Sequence, residues 1–212
     1  MTFGVAARVA LSIGSLILIS ALALTAHAQQ APQSRTITCE GPFGRGASQL
    51  DLVKAFGRDV VVQEVPGAEG ERLKASVIYP NDPRLRLEVL WNNDRALRDP
   101  LIRINSQSIW SAPNGIRLKL PLADIEKMNG KPFKLSGFGW DYGGRATDWQ
   151  AGALARPQPG GCAVSIGFSS ADNAPQAALA KVSGDNEFQS NNPNVRAVRP
   201  YVSEITIGYA QR

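Results

Sequence analysis

The stretch that decides the fold of this chain is LKASVIYPNDPRLRLEVLW, residues 73–91. Its middle, PNDP at residues 80–83, consists of residue types that preset or tolerate turn dihedrals. After this turn every other side chain is apolar, which is the period of a β-strand. The apolar positions are Leu85, Leu87, Val89 and Trp91. The pattern predicts a β-hairpin with one buried face and one face that is mostly in water.

Weaker patterns, some with the period of a helix and some with that of a strand, continue on either side of this hairpin. Upstream, Ser48 and Asp51 have the spacing of a capping box at the start of a helix, and Gly57 has the place of a helix-ending glycine. Downstream, two further short helices are expected over residues 122–128 and 176–182. Strands are expected at residues 35–39, 59–65, 101–104, 108–110, 148–150, 162–166 and 202–209.

Together these elements predict an α+β fold. We expect a mainly antiparallel sheet with two or three short helices on one face, in a single domain of residues 35–212. The first two helices have similar apolar spacing, and each ends at a glycine. This similarity suggests that the domain consists of two similar halves, residues 35–111 and 112–212.

The N-terminus has the pattern of an export signal, residues 1–28. Arg8 is its only charge, residues 9–24 are almost wholly apolar, and Ala28 ends a small-x-small cleavage site. The apolar run is shorter than the roughly 20 residues that a membrane helix needs, so cleavage is expected rather than anchoring. The mature protein is then periplasmic or secreted and has no membrane span, and it begins with a disordered polar leader, residues 29–34.

Export would remove the only histidine of the chain, His27. The remaining 184 residues have no imidazole, which excludes Ser-His-Asp and Cys-His catalysis and His-ligated zinc. The only two cysteines are Cys39 and Cys162, and in an oxidising compartment we expect them to form a disulfide. Closing so long a loop would stabilise the fold by about 4–5 kcal/mol in the chain-entropy model. A thiol nucleophile is then excluded as well.

Charge and motif content point away from several other classes. Residues 29–212 carry 22 basic and 18 acidic side chains, well mixed, so nucleic acid is not an expected partner. No cofactor is expected, because the glycines at 137–144 lack the βαβ context of a dinucleotide site. The oxygen-rich triplet Asn92-Asn93-Asp94 lacks the spacing of a calcium loop, so we expect a strand-ending turn there and no metal.

The richest candidate for a binding site is the aromatic and glycine-rich segment 138–149. Flat aromatic rings beside hydrogen-bonding groups suit sugar rings and peptide surfaces. The candidate residues are Trp140, Asp141, Tyr142, Arg145 and Trp149. The simpler interpretation is a tight hairpin, in which alternate aromatic side chains, Trp140 among them, fill the core and two adjacent glycines form the turn.

With imidazole and thiol excluded, a pair of carboxylates is the remaining way in which this chain could perform acid–base catalysis. Asp141 and Asp148 flank the glycine pair Gly143-Gly144 and would face each other across such a hairpin. Glycosidases use two carboxylates at defined separations. The other acids that draw notice are expected to be surface charges or helix caps; they are Asp51, Glu88, Asp124 and Glu126.

Four short sequences resemble an uncharacterised group of exported bacterial proteins. They are YPNDP at 79–83, LEVLW at 87–91, NGKPF at 129–133 and GFGWD at 137–141. The resemblance covers most of the mature chain but implies no activity and no functional residues. More remotely, the helix-then-strands pattern is similar to small modules of the β-lactamase-inhibitor-protein type and of outer-membrane assembly lipoproteins, although no lipid-attachment cysteine is present. Those families imply protein–protein binding without catalysis.

These observations favour a non-catalytic periplasmic binding or protein-interaction domain over an enzyme. Its partner would be another envelope protein or a cell-wall glycan. One alternative is an envelope glycan hydrolase that uses Asp141 and Asp148, and another is a carrier of a small ligand.

Overall fold

The computed structural model of this chain describes residues 1–2 and 35–210. The cleavage site, His27, the leader and all of the export signal except Met1 and Thr2 lie outside the described residues, and so they remain sequence-based predictions. Residues 35–210 belong to one compact unit, Ser34–Arg212. Among the described residues, no helix has both the length and the apolar character that crossing a bilayer requires.

The fold is α+β, as the sequence predicts. The strands are β1 Arg35–Thr36, β2 Val60–Pro66, β3 Arg72–Ile78, β4 Leu87–Asn93, β5 Arg98–Ile104, β6 Trp110–Ser111, β7 Lys134–Ser136, β8 Ala146–Asp148, β9 Ala163–Ser169, β10 Glu187–Gln189 and β11 Tyr201–Gly208. The α-helices are α1 Gln49–Phe56, α2 Leu122–Asn129, α3 Gln176–Ala180 and α4 Pro193–Ala197.

Six antiparallel strands form the main sheet in the order β2-β3-β4-β5-β11-β9. The predicted hairpin is its centre, with Ala75 of β3 opposite Leu90 of β4 and Ile78 opposite Leu87. Apolar side chains from five neighbouring strands line up in one fully buried row on the same face. They are Ile78, Leu87, Ile104, Ile205 and Ile166.

The helices cover this buried face. Leu52 of α1, Ile125 of α2, Ala178 of α3 and Val195 of α4 belong to the same core cluster as that row. The predicted capping box is present at α1, and hydrogen bonds from the Ser48 side chain and backbone lower the pKa of the Asp51 carboxyl. The prediction missed α4, since a five-residue helix is too short to show a helical period in the sequence.

The remaining strands form two small sheets. The three-stranded sheet has the order β10-β7-β8, and β1 pairs with β6 in parallel. Several strands differ in length from their predictions. The first is only Arg35–Thr36, and β8 ends at Asp148, whose carboxylate accepts the N–H of Gln150 at 2.7 Å and so begins a turn.

The two halves of the chain do not have similar structures. The strands that follow α1 along the chain, β2 to β5, build the main sheet, whereas β7 and β8, which follow α2, build a small one. The main sheet also takes β9 and β11 from the second half. The similarity seen in the sequence is therefore confined to the two helices, whose spacing reflects the period of any short amphipathic helix.

The outer part of the β2–β3 hairpin, residues 63–74, crosses the second face of the main sheet; we call it the arm. β3 pairs with β4 only over Ala75 to Ile78, so the arm leaves the sheet plane beyond that point. Its Pro66 carbonyl accepts a 2.8 Å hydrogen bond from Arg103, which lies on β5. Val65 and Val77 are fully buried on this side of the sheet and form a second, smaller cluster.

Glu88 lies on this second face and is only 3% exposed, so its prediction as a surface charge was wrong. Its carboxylate accepts hydrogen bonds from Arg86 at 3.0 Å, Arg103 at 2.8 Å and Asn105 at 3.1 Å. The alternation of the sequence places Glu88 on the face away from the core correctly. The expected exposure of Glu88 is wrong because its polar partners and the arm cover that face as well.

The other three acids lie closer to expectation. Asp51 caps α1 and Asp124 is exposed on α2. Glu126 is half-buried and makes a 2.5 Å ion pair with Arg196.

The predicted disulfide is present. Cys39 and Cys162 are bonded, with their Cα atoms 5.8 Å apart, which is a usual spacing for a disulfide. The bond joins the N-terminal segment to the residue just before β9, across 123 positions of sequence. It therefore fastens the start of the described domain to the edge of the main sheet.

Candidate functional site

Four of the five predicted binding residues, all except Trp149, lie on the loop 137–145, which connects β7 to β8. The hydroxyl of Ser136, the last residue of β7, donates to the Tyr142 carbonyl at 2.9 Å and accepts the Arg145 N–H at 3.1 Å. One side chain thus holds the two sides of the loop together. The loop is longer than the two-residue turn expected at Gly143-Gly144.

The loop is also fastened to the edge strand of the main sheet. The carbonyl of Gly144 accepts a 2.8 Å hydrogen bond from the N–H of Phe168 in β9. The two chains approach so closely that a Cβ at Gly144 would lie 2.0 Å from the Phe168 carbonyl oxygen. Only glycine fits at that contact, so the position of the loop relative to β9 is fixed.

Trp140 and Tyr142 are exposed at this loop, with 42% and 44% of their surface accessible. Their rings meet edge to face with centroids 5.5 Å apart, and the indole N–H of Trp140 donates to the Gly137 carbonyl at 3.1 Å. The core interpretation holds for Phe138, which is buried, and is wrong for Trp140. Gly139, with φ +87°, breaks the strand-like alternation between them.

Asp141 joins the loop to the tip of the arm. Its carboxylate accepts a 2.6 Å hydrogen bond from the backbone N–H of Glu69. The contact links two segments that lie 72 positions apart in the sequence. It holds the carboxylate of Asp141 in one place beside the two aromatic rings.

An open cleft of about 390 Å³ lies between the loop and the end of β9. Its lining combines aromatic rings, hydroxyl groups, a carboxylate and glycine backbone. The lining residues are Phe138, Gly139, Trp140, Asp141, Gly143, Phe168, Ser169 and Ser170. A cleft of this size and polarity can hold one or two sugar rings or a short polar segment of chain.

Arg145 is engaged elsewhere. Its guanidinium makes a 2.7 Å ion pair with Glu204 of β11, and both side chains are partly exposed. This ion pair is the strongest contact of the Arg145 guanidinium, and it orients the loop over the main sheet.

Trp149 lies apart from the other candidates. It is half-buried, and its ring centroid is 4.8 Å from that of Phe133 in the core. The buried side chain of Asn129 donates to its carbonyl at 3.0 Å. The structure therefore brings Trp140, Asp141 and Tyr142 together and leaves Trp149 with a packing role.

Replacing Asn129 with alanine is expected to lower the free energy of unfolding by about 2 kcal/mol, because buried backbone groups would lose their partners. The amide also donates to the Lys131 carbonyl at 3.0 Å and accepts the Leu154 N–H at 3.2 Å. Urea unfolding followed by fluorescence measures the change. Asn191→Ala, at an exposed position, is the matched control; equal stability of the two variants would contradict the prediction.

The two aspartates proposed as a catalytic pair do not face each other. Asp141 lies in the loop, whereas Asp148 pairs with Lys134 at the other end of the β7–β8 ladder. The carboxylate of Asp148 caps the turn at Gln150, and that of Asp141 accepts from Glu69. The hydrolase alternative thus lacks the juxtaposition on which it was based.

The triplet 92–94 ends a strand, as expected. Asn93 is the last residue of β4, and its side-chain oxygen accepts the N–H of Ala96 at 3.0 Å in the turn to β5. Within residues 1–2 and 35–210, no three acidic, histidine or cysteine side chains gather as ligands of one metal ion.

Sequence reasoning missed Glu69, Ser169 and Ser170 as parts of the site. Ser169 and Ser170 follow an apolar strand without any distinguishing motif, and Glu69 reaches the site through its backbone N–H. Their placement depends on the arm and on the β9 edge, which are long-range features. No local signal could have found them.

A scan against models of protein families and searches of curated proteins and of solved structures find no match to this chain. The geometry of the loop, the arm and the cleft is therefore the basis for assigning a function.

Proposed function

We propose that this protein is a non-catalytic binding domain of the bacterial cell envelope, and that it holds a glycan chain in the cleft beside Trp140 and Tyr142. The exposed aromatic pair on an anchored loop is the observation that carries the proposal. The two large rings are exposed and in contact with each other, and Trp140 lines the cleft.

The chemistry around the rings favours a sugar. Pyranose rings have apolar C–H faces that stack on aromatic rings and hydroxyl groups that need hydrogen-bond partners. The cleft supplies the carboxylate of Asp141 and the hydroxyls of Ser169 and Ser170 next to the indole. The Trp140 N–H is already bonded to Gly137, so the ring offers its apolar face rather than its donor.

The site also has the rigidity that binding of a weakly interacting polymer needs. Asp141 is held by the arm, and Ser136 and Phe168 fix the two sides of the loop. A preorganised loop loses little conformational freedom when it binds, so more of the contact energy remains as affinity.

A protein partner fits these observations less well. A stable protein interface usually covers about 800 Å² on each partner, with a largely apolar centre. Within residues 35–210, the other exposed large apolar side chains are on α1 and β2, not at this loop: Leu50, Val61 and Val62.

The cellular compartment is part of the proposal. The disulfide agrees with an oxidising environment such as the periplasm, and the export signal predicted at residues 1–28 points to the same place. We propose binding without hydrolysis, because glycan hydrolases use two carboxylates across the bond and the Asp141 and Asp148 carboxylates do not face each other at the cleft.

Replacing Trp140 with alanine is expected to weaken glycan binding about 30-fold, the effect of removing a central aromatic anchor worth about 2 kcal/mol. The probe is a set of soluble peptidoglycan fragments, titrated calorimetrically into the purified protein. Trp140→Phe should retain most of the affinity because it keeps a flat ring. Unfolding should become easier by only about 1–2 kcal/mol, less than the loss of a fully buried tryptophan costs.

Leu50→Ala, at an exposed apolar residue of α1, is the control and should bind like the parent. Absence of binding by the parent, or equal affinity of the Trp140→Ala variant, would overturn the glycan proposal. Pull-downs from envelope extract with the parent and the Trp140→Ala variant then test for a protein partner. If the variant loses a bound protein but no glycan, this loop binds a protein.

A further inference from the structure

A second cavity, of about 400 Å³, lies among the start of α2, the segment after α4 and the start of β11. Its volume is within the range of small-molecule sites. The floor is mainly apolar, and the lining residues that offer accessible apolar surface are Pro121, Ala123 and Tyr201. It shares no lining residue with the cleft at Trp140.

Three cationic side chains surround this apolar floor. Arg196 and Arg199 line the cavity itself, and the Nζ atom of Lys119 lies 4.0 Å from the centroid of the Tyr201 ring. Only Arg196 has a carboxylate partner, Glu126. Across residues 35–210, no ion pair includes Arg199 or Lys119, and the Arg199 guanidinium donates instead to the neutral backbone carbonyl and side-chain oxygen of Asn173.

The backbone holds two of these cations in unusual conformations. Lys119 has φ +68° and Arg199 has φ +48°, in the left-handed region that residues with a Cβ rarely adopt. Backbone hydrogen bonds keep both there: Lys119 N–H donates to Val202 at 2.8 Å, and Arg199 N–H donates to Arg196 at 3.1 Å. The backbone on either side of the cavity is thus fixed, and the two cations lie at set places beside its apolar floor.

From this arrangement we infer a ligand site for a small amphiphilic carboxylate, such as a medium-chain fatty acid. The apolar chain would lie on Pro121, Ala123 and Tyr201, and the carboxylate would pair with Arg199 and approach Lys119. Charge complementarity selects an anion, because two of the three cations lack an acidic partner among the described residues. The apolar floor selects a ligand with a hydrocarbon part, because a fully hydrated anion would leave that surface in contact with water.

This site is independent of the proposed glycan site, and it would make the protein a carrier or sensor of such anions as well. Calorimetric titration of the whole protein with octanoate, below its micelle concentration, tests the inference. Octanamide, which has the same chain without the charge, is the matched ligand. The parent should bind octanoate at least ten-fold more tightly than octanamide.

Arg199→Gln should weaken octanoate binding at least ten-fold and leave octanamide binding unchanged, since only the charged contact is lost. Ala123→Trp, which fills the cavity from an exposed position of α2, should abolish binding of both ligands. Arg58→Gln, at an exposed arginine after α1, and Trp140→Ala should both bind octanoate like the parent.

Thermal melts show that each variant is folded before it is titrated. Failure of the parent to bind octanoate would overturn the inference, and so would octanoate affinities that are the same for the parent, Arg199→Gln and Ala123→Trp. Octanoate and glycan binding are measured in separate titrations. Failure of the glycan proposal would therefore not affect the octanoate result, and failure of the octanoate inference would not affect the glycan result.

Discussion

Replacing Glu88 with glutamine will lower the free energy of unfolding by about 3 kcal/mol, although the change keeps the shape of the side chain. Removing one member of a buried ion pair typically costs about 3–5 kcal/mol, because it leaves an uncompensated charge out of water. The Glu88 carboxylate compensates two guanidiniums, Arg86 and Arg103, whose side chains are 22% and 13% exposed. This residual exposure places the expected loss at the lower end of the range.

The matched control is Glu187→Gln, which removes an ion pair of the same type at the surface. Lys134 and Glu187 are 39% and 49% exposed and 3.5 Å apart, so the change should stay within about 0.5 kcal/mol. Urea unfolding of both variants against the parent gives the two values. A small and equal loss of unfolding free energy in both variants would show that water solvates the two guanidiniums freely. The Glu88 carboxylate would then not be a group that stabilises the fold.

A second observable separates the role of Glu88 from general stability. Arg103 joins the carboxylate to the Pro66 carbonyl of the arm, so the arm depends on the orientation that Glu88 gives to this guanidinium. In the Glu88→Gln variant, hydrogen exchange of the arm amides should speed up more than that of β11. Uniform acceleration across the sheet would instead indicate a loss of global stability alone.

The parts of the fold that the sequence predicts are those whose signals are local. The turn at 80–83 and the capping box of α1 each depend on residues within a few positions of one another. The arm shows the limit of such signals. Its contacts join Pro66 to Arg103 and Glu69 to Asp141, which lie 37 and 72 positions apart. A period of two places Glu88 on the face away from the core, but only the three-dimensional path of the chain decides whether water reaches that face.

The candidate site divides in the same way. Composition drew attention to the segment 138–149, and Trp140, Asp141 and Tyr142 do lie together. Their exposure could not be predicted, because it depends on the backbone at Gly139. A strand continuing through this glycine would carry Phe138 and Trp140 on one face, and its positive φ separates them. Trp149 failed as a member of the site because β8 lies between it and the loop.

Removing the disulfide by replacing both Cys39 and Cys162 with alanine will lower the free energy of unfolding by about 3–5 kcal/mol. The bond closes a loop of more than a hundred residues, so most of the effect comes from the greater freedom of the unfolded chain. For a domain of this size a loss of that magnitude corresponds to a fall in Tm of about 10–15 °C. Differential scanning calorimetry of the parent, the double variant and the reduced parent measures it.

Contacts in the folded state also hold the segment around Cys39. The prediction can therefore be tested by comparing this segment with the rest of the domain after the bond is removed. The Tyr209 hydroxyl lies 2.9 Å from the Cys39 carbonyl oxygen and 3.0 Å from that of Phe43, and burial raises the pKa of this hydroxyl, so it stays a donor. Phe43 packs its ring edge to face with Trp110. These contacts should keep residues 37–43 in place after reduction, so hydrogen exchange there should follow the global loss of stability. Selective loosening of that segment with little change in Tm would show that the bond fastens the N-terminal segment locally, and it would contradict the entropic account of its effect.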